Sequence, residues 1–135
     1  MMLLDSDVLL DVLLERHPFA EPARQLLDLI ETRRLEAGVA WHCISNIHYV
    51  AAPKAGYEPT LEFIRHLATV LTVPRTDNDS VLLAADLNLN DFEDAMQVAA
   101  AAVCGADYIV TRNRRDFRDS PIPAIEPQDA LQLLS

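Results

Sequence analysis

Glycine is scarce in this chain, with three in total, and the eight prolines are scattered, so no flexible low-complexity linker divides it. No internal repeat is present either, which excludes a solenoid or propeller. Apolar runs stay far below the roughly 20 residues that a membrane-spanning helix requires. The N-terminal "MMLLDSDVLL" is apolar but interrupted by acids, has no basic segment before it and no small-residue cleavage site after it. It is therefore read as part of the fold, and a cytoplasmic location is expected. Cysteine occurs twice, as Cys43 and Cys104, inside apolar segments and without metal-ligand spacing. Both are expected to be reduced, with no disulfide. Positive charge is also in short supply: 11 Lys and Arg face 21 Asp and Glu, for a net charge of −10. That balance argues against a general polyanion-binding surface.

Half of the 135 residues are hydrophobic, enough for one domain over residues 1–135 with a substantial core. Its pattern alternates. "MLL" before Asp5 reads as a strand, and Asp7, Asp11 and Glu15 then recur every four residues as a polar stripe on an apolar helix, which predicts Asp11 and Glu15 at the surface. A helix follows over about Ala20 to Thr32, then a strand at "GVAW". A third helix starts near Ser45 and runs toward Ala52, and "PTLEFIRHLATVL" is helical. "TVP" reads as a short strand, "DNDSVLLAADLN" as a capped helix, "DFEDAMQVAAAA" as another helix, "DYIVT" as a buried strand, and "PIPAIEPQDALQLL" as a last strand and a helix begun by Pro127. Strands separated by helices imply a mostly parallel sheet covered on both faces, an α/β/α sandwich.

The segment "DFEDAMQVAAAA", residues 91–102, crowds Asp91, Glu93 and Asp94 ahead of an apolar helix. Capping alone accounts for acids there, since Asp suits an N-cap and negative charge is favoured at a helix N-terminus. Topology adds a second account. In parallel α/β sheets ligands bind beyond the carboxyl ends of the strands. Asp5 and Asp116 follow two such ends, and helices antiparallel to the strands deliver Asp91, Asp94 and Asn46 to the same edge. Convergent carboxylates repel one another, and a hard divalent cation, Mg²⁺ or Mn²⁺, is the partner that such oxygens suit. An ion held there can activate water and neutralise a phosphate. Arg112, Arg114, Arg115 and Arg118, four of the basic residues, fall within "TRNRRDFRDS", and Arg112, Arg114 and Arg115 are candidates for gripping the phosphates of a nucleic-acid substrate.

"LLDSDVLLDVLL", "DFEDAMQVAAAA" and "DYIVTRNRRDF", in this order, resemble the motifs of PIN-domain ribonucleases, in the VapC-like toxin branch of bacterial type II toxin-antitoxin pairs. The resemblance spans essentially the whole chain, and its third motif is the most specific. It implies an α/β/α sandwich whose acidic pocket binds Mg²⁺ or Mn²⁺ and hydrolyses RNA. By motif, Asp5, Asp94 and Asp116 are the metal-binding and catalytic acids, with Thr111 and Asn113 supporting the pocket and Asp91 beside it. A homodimer and a cognate antitoxin are implied as partners. One position departs from the pattern: where such nucleases commonly carry a further acid, "CISNIHYV" offers Asn46, which brings a carbonyl but no charge.

Two other readings stand beside this one. A PIN fold weakened by Asn46 would serve as an RNA- or protein-binding module. "LLDSDVLLD" also resembles the start of haloacid-dehalogenase-like phosphatases, with Asp5 as nucleophile and Asp7 as general acid, but these need a lysine at the phosphoryl site and the only one here is Lys54. Asp7 is otherwise expected to cap the first helix. His17, His42, His48 and His66 share no ligand spacing, and Trp41, Tyr49, Tyr57 and Phe63 read as core or interface residues.

Overall fold

The computed structural model describes residues 1–135. Four parallel strands form its centre: β1 (Met2–Leu4), β2 (Ala37–Val39), β3 (Tyr108–Val110) and β4 (Ala124–Ile125), in the spatial order β2-β1-β3-β4. β1 is the hub, with Leu4 level with Val39 on one side and with Val110 on the other. Every residue of β1 and β2 is buried, on alternating sides of the pleat, so both faces of the sheet are covered. Seven helices cover them, giving the three-layer α/β/α arrangement expected: α1 (Ser6–Leu13), α2 (Ala20–Glu31), α3 (Trp41–Ala55), α4 (Tyr57–Val70), α5 (Asn78–Asp86), α6 (Phe92–Val103) and α7 (Pro127–Leu134). α1 packs on α2 and α3, α2 on α7 and α3 on α4, while α6 lies against β1, β3 and α5. One continuous core joins Leu3, Leu4, Leu9, Leu26, Ile47, Leu67, Val98 and Ile109.

Local chemistry sets most boundaries. Asp77 caps α5 and exchanges hydrogen bonds with Ser80, a reciprocal capping box. Asp91 caps α6 through the N–H groups of Glu93 and Asp94, and Pro127 opens α7.

Three expected elements are corrected. The third helix starts at Trp41 instead of near Ser45, directly out of β2, because Ala40 already has the extended backbone of an N-cap. The "TVP" strand reduces to a single bridge between Thr72 and Gly38, since Pro74 has no N–H to continue a ladder. Gly38 is required at that bridge: a Cβ there would lie 2.8 Å from the Thr72 carbonyl oxygen. The first helix begins at Ser6 and ends at Leu13, and Glu15 beyond it is exposed with φ of 51°.

The polar stripe of α1 is the largest departure. Glu15 is at the surface as expected, but Asp11 has no solvent exposure at all. Its carboxylate is enclosed by Arg16 and Arg112, because this side of α1 faces the turn after β3 instead of water. Nor does Asp7 cap α1. Asp5 is the cap, accepting the Ser6 N–H at 2.8 Å. Among the aromatics, Trp41 and Tyr49 are 72% and 80% exposed, so neither belongs to the core.

Candidate active site

The carboxyl ends of β1 and β3 are adjacent in the sheet, and the chain leaves both with acids. Asp5 follows β1 immediately. After β3, Thr111 is fully buried and its hydroxyl donates to Asp5 Oδ2 at 2.9 Å and to Asp7 Oδ2 at 3.2 Å. The Arg112 N–H donates to the same Asp7 oxygen at 2.9 Å, and the Asn113 amide reaches it at 3.4 Å. A 3-10 turn, Arg114–Phe117, then carries Asp116, whose N–H is held by the Asn113 carbonyl. On the facing side, the start of α6 supplies Asp91, Glu93 and Asp94, and α3 supplies Asn46, which donates from Nδ2 to Ser6 Oγ at 2.8 Å.

These residues line one open cleft of about 310 Å³, bounded by Asp5, Asp7, Asn46, Asp91, Glu93, Asp94, Arg112, Asn113 and Asp116. The structure thus brings Asp5, Asp94 and Asp116 together with Asn46, Asp91 and Asn113, and sets Thr111 beneath them. Lys54 is elsewhere, in a depression shared with Glu15, so the phosphatase-like reading lacks its lysine. Arg114 and Arg115 lie outside the acidic cleft, lining a neighbouring groove with Arg118 and Ser120. Arg112 borders the cleft, but its guanidinium is locked on Asp11 in a two-point pair, Nε to Oδ2 at 2.7 Å and Nη2 to Oδ1 at 3.0 Å. The Nε and Nη2 face of Arg112 is thus occupied by a carboxylate, whereas Arg114 and Arg115 are exposed.

The electrostatics of the cleft are those of acids without enough cations. Burial, reinforced by the charge of Asp7, pushes Asp5 from 3.8 up to about 7, against the opposing hydrogen bonds from Thr111 and Ser6. Asp94 rises to about 6, through burial and then the charges of Asp91, Asp116 and Glu93. Asp7 is raised by burial too, although the Arg112 N–H and charge pull against the rise. Its Oδ1 is buried with no hydrogen-bond partner. An unpartnered carboxylate oxygen, raised acids and an all-oxygen donor set fit a hard divalent cation. No three Asp, Glu, His or Cys side chains are close enough to form a ready-made cage. An ion there would take few protein oxygens and keep waters, as Mg²⁺ commonly does.

Sequence reasoning missed Asp7 as part of this cleft's bonding and Asp11 and Arg16 behind it. The signal was present, in two acids spaced four apart on an otherwise apolar helix, but that pattern reads equally as a solvated stripe.

The chain is thus an all-parallel α/β/α sandwich with an acidic cleft at the carboxyl edge of its sheet. The family model of the PIN domain matches residues 1–115, and the chain belongs to the PIN-domain family. A search of the curated proteins gives no significant match. Among solved structures, the chain is similar to VapBC2 from Rickettsia felis, crystallised with a DNA fragment of its promoter, at a TM-score of 0.72 and 13% identity over 93% of this chain and 97% of that one. It is also similar to a toxin-antitoxin complex from Klebsiella pneumoniae, at a TM-score of 0.68 and 21% identity over 94% and 98%. A third is VapC20 from Mycobacterium tuberculosis, a toxin that cleaves the sarcin-ricin loop, at a TM-score of 0.63 and 14% identity over 81% and 87%.

Proposed function

We propose that this protein is a metal-dependent endoribonuclease, the toxin of a type II toxin-antitoxin pair. The observation that carries the reading is the meeting of Asp5, Asp94 and Asp116, far apart in the chain, in one cleft where Asp5 and Asp94 are raised by burial and by neighbouring acids. Family membership and the likeness to toxin-antitoxin proteins support it. Asp5, Asp94 and Asp116 would hold Mg²⁺ or Mn²⁺, with the Asn46 carbonyl as a neutral contributor. Bound there, such an ion supplies positive charge to the acids and a phosphodiester, and acidity to a water. The chain's own part is positional. Thr111 and Ser6 hold Asp5 by one hydrogen bond on each oxygen, and Asp91 holds the first turn of α6, fixing where Asp94 stands. Arg114 and Arg115, exposed beside Asp116, would hold phosphates that flank the reacting one. No protein nucleophile is required.

The partners follow from the same reading: an RNA substrate, a cognate antitoxin that suppresses activity, and a second copy of the chain. A cytoplasmic site of action belongs to the same reading, since that is where such an RNA substrate resides. No helix is long and apolar enough to cross a membrane. The test is cleavage of RNA by purified protein with Mg²⁺ or Mn²⁺, its arrest by EDTA, and its loss in Asp5→Asn. Hydrolysis that ignores chelation would sink the metal mechanism. A second reading, a binding module that does not cleave, is favoured by one feature: Asn46 brings no charge, and its amide is spent on Ser6. RNA binding without metal-dependent cleavage would select it.

A further inference from the structure

Behind the cleft lies a charged cluster that the chemistry above does not use. Asp11 is completely buried, yet both its oxygens are filled. Oδ1 accepts from Arg16 Nε at 2.8 Å and from Arg112 Nη2 at 3.0 Å, and Oδ2 accepts from Arg112 Nε at 2.7 Å. The Arg112 guanidinium also stacks over the Phe19 ring, 4.0 Å from its centroid, and Arg16 Nη2 bonds the Asp7 carbonyl at 3.3 Å. Two-point pairing with a fully buried carboxylate and stacking on Phe19 hold the partly exposed Arg112 side chain in place.

Fixing that side chain fixes its backbone. The Arg112 N–H grips Asp7, the Thr111 hydroxyl before it grips Asp5 and Asp7, and the Asn113 carbonyl after it holds the N–H of Asp116. Three acids of the cleft thus hang on three consecutive residues whose middle one is anchored to Asp11. The turn that carries Asp116 is also held by buried Phe117 and by an exposed Arg114–Asp129 pair at 3.7 Å, while the pair with Asp11 is the one salt bridge made by Thr111, Arg112 or Asn113.

We infer that Asp11 and Arg112 are positioning residues: their pair sets the turn after β3 and with it the place of Asp116 in the cleft that Asp5 and Asp94 also line. The inference rests on the proposed metal site and adds two residues to it. Arg112 acts as a strut, while contact with RNA phosphate falls to Arg114 and Arg115.

The test uses Mn²⁺ as the probe, by calorimetry on the full chain, alongside the salt dependence of RNA binding. Arg112→Ala is expected to weaken Mn²⁺ binding by about 10-fold or more, the usual result of removing a residue that orients a metal ligand. The slope of RNA affinity against salt should stay as in the wild type, whereas Arg115→Ala should reduce it by about one. Arg112→Lys keeps a charge for Asp11 but only one point of attachment. Its Mn²⁺ affinity should fall between those of wild type and Arg112→Ala, and this variant decides the question if Arg112→Ala does not fold. Folded Arg112 variants with wild-type Mn²⁺ affinity would overturn the inference while leaving the metal site standing. So would a salt slope reduced by about one in Arg112→Ala, which marks a phosphate contact. A wild type that binds no Mn²⁺ would overturn the site and the inference together.

Discussion

Asp5→Asn should stabilise the metal-free protein above neutral pH while abolishing its response to metal. Burial and the charge of Asp7 raise Asp5 from 3.8 to about 7. At about 1.36 kcal/mol for each pH unit, holding this carboxylate ionised in the fold costs about 4 kcal/mol at high pH. Asparagine is neutral and nearly isosteric. Its oxygen can still accept the Ser6 N–H, and its amide can donate to Thr111 Oγ, whose own proton remains on Asp7. Losing the charge-assisted bond from Thr111 offsets about 1.5 kcal/mol. The balance is about 2.5 kcal/mol in favour of the variant, a rise in Tm of about 10 °C for a chain of this size. The sign follows from linkage. Because the folded pKa lies above the unfolded one, the native state holds more protons between about pH 4 and pH 7, and wild-type stability falls as pH rises through that window. The variant lacks this slope, so the two proteins should melt together near pH 4 and separate by pH 8. Mn²⁺ should restore stability to the wild type at pH 8 and do nothing for the variant, since an ion stabilises a fold only as far as it binds it. Parallel pH curves, or a variant less stable than wild type at pH 8, would refute the reasoning.

Asp94→Asn should likewise raise the metal-free Tm and eliminate RNA cleavage, because Asp94 stands against Asp91, Asp116 and Glu93; if it serves only the helix dipole, stability falls by about 0.3–1 kcal/mol and activity survives. Asp91→Asn is its control: Asn caps about as well as Asp, so cleavage should persist, while the metal-free Tm rises less than in Asp94→Asn because only one of the charges facing Asp94 is removed. Asn46→Glu should tighten Mn²⁺ binding by adding a charged oxygen, and unchanged calorimetry would place Asn46 outside the ion's reach. Asp11→Asn should destabilise the fold by about 1.5–3 kcal/mol in urea melts, because Arg16 and Arg112 lose charge-assisted bonds to a buried carboxylate but still reach solvent themselves; a loss under about 0.5 kcal/mol would mean that the cluster contributes nothing to stability.

The order of elements was legible in the chain because each rests on local chemistry: apolar triplets for β1 and β3, an Asp cap before α6, Pro127 at the start of α7. The candidate acids Asp5, Asp94 and Asp116 were legible for a related reason, since in a parallel sheet the ends of strands and the starts of the covering helices share one edge. What only the tertiary structure decided is the assignment of charges to faces. Periodicity states that Asp7 and Asp11 lie on one side of α1, but not whether that side meets water or another segment. It meets the turn after β3, more than a hundred residues along the chain from Asp7. That single contact turns Asp11 from a surface acid into a buried one and Arg112 from a free cation into its partner. A charge pair that is distant in sequence leaves no local pattern. Its members read as solvated until folding brings them together, and only then does the desolvation of each make the other necessary.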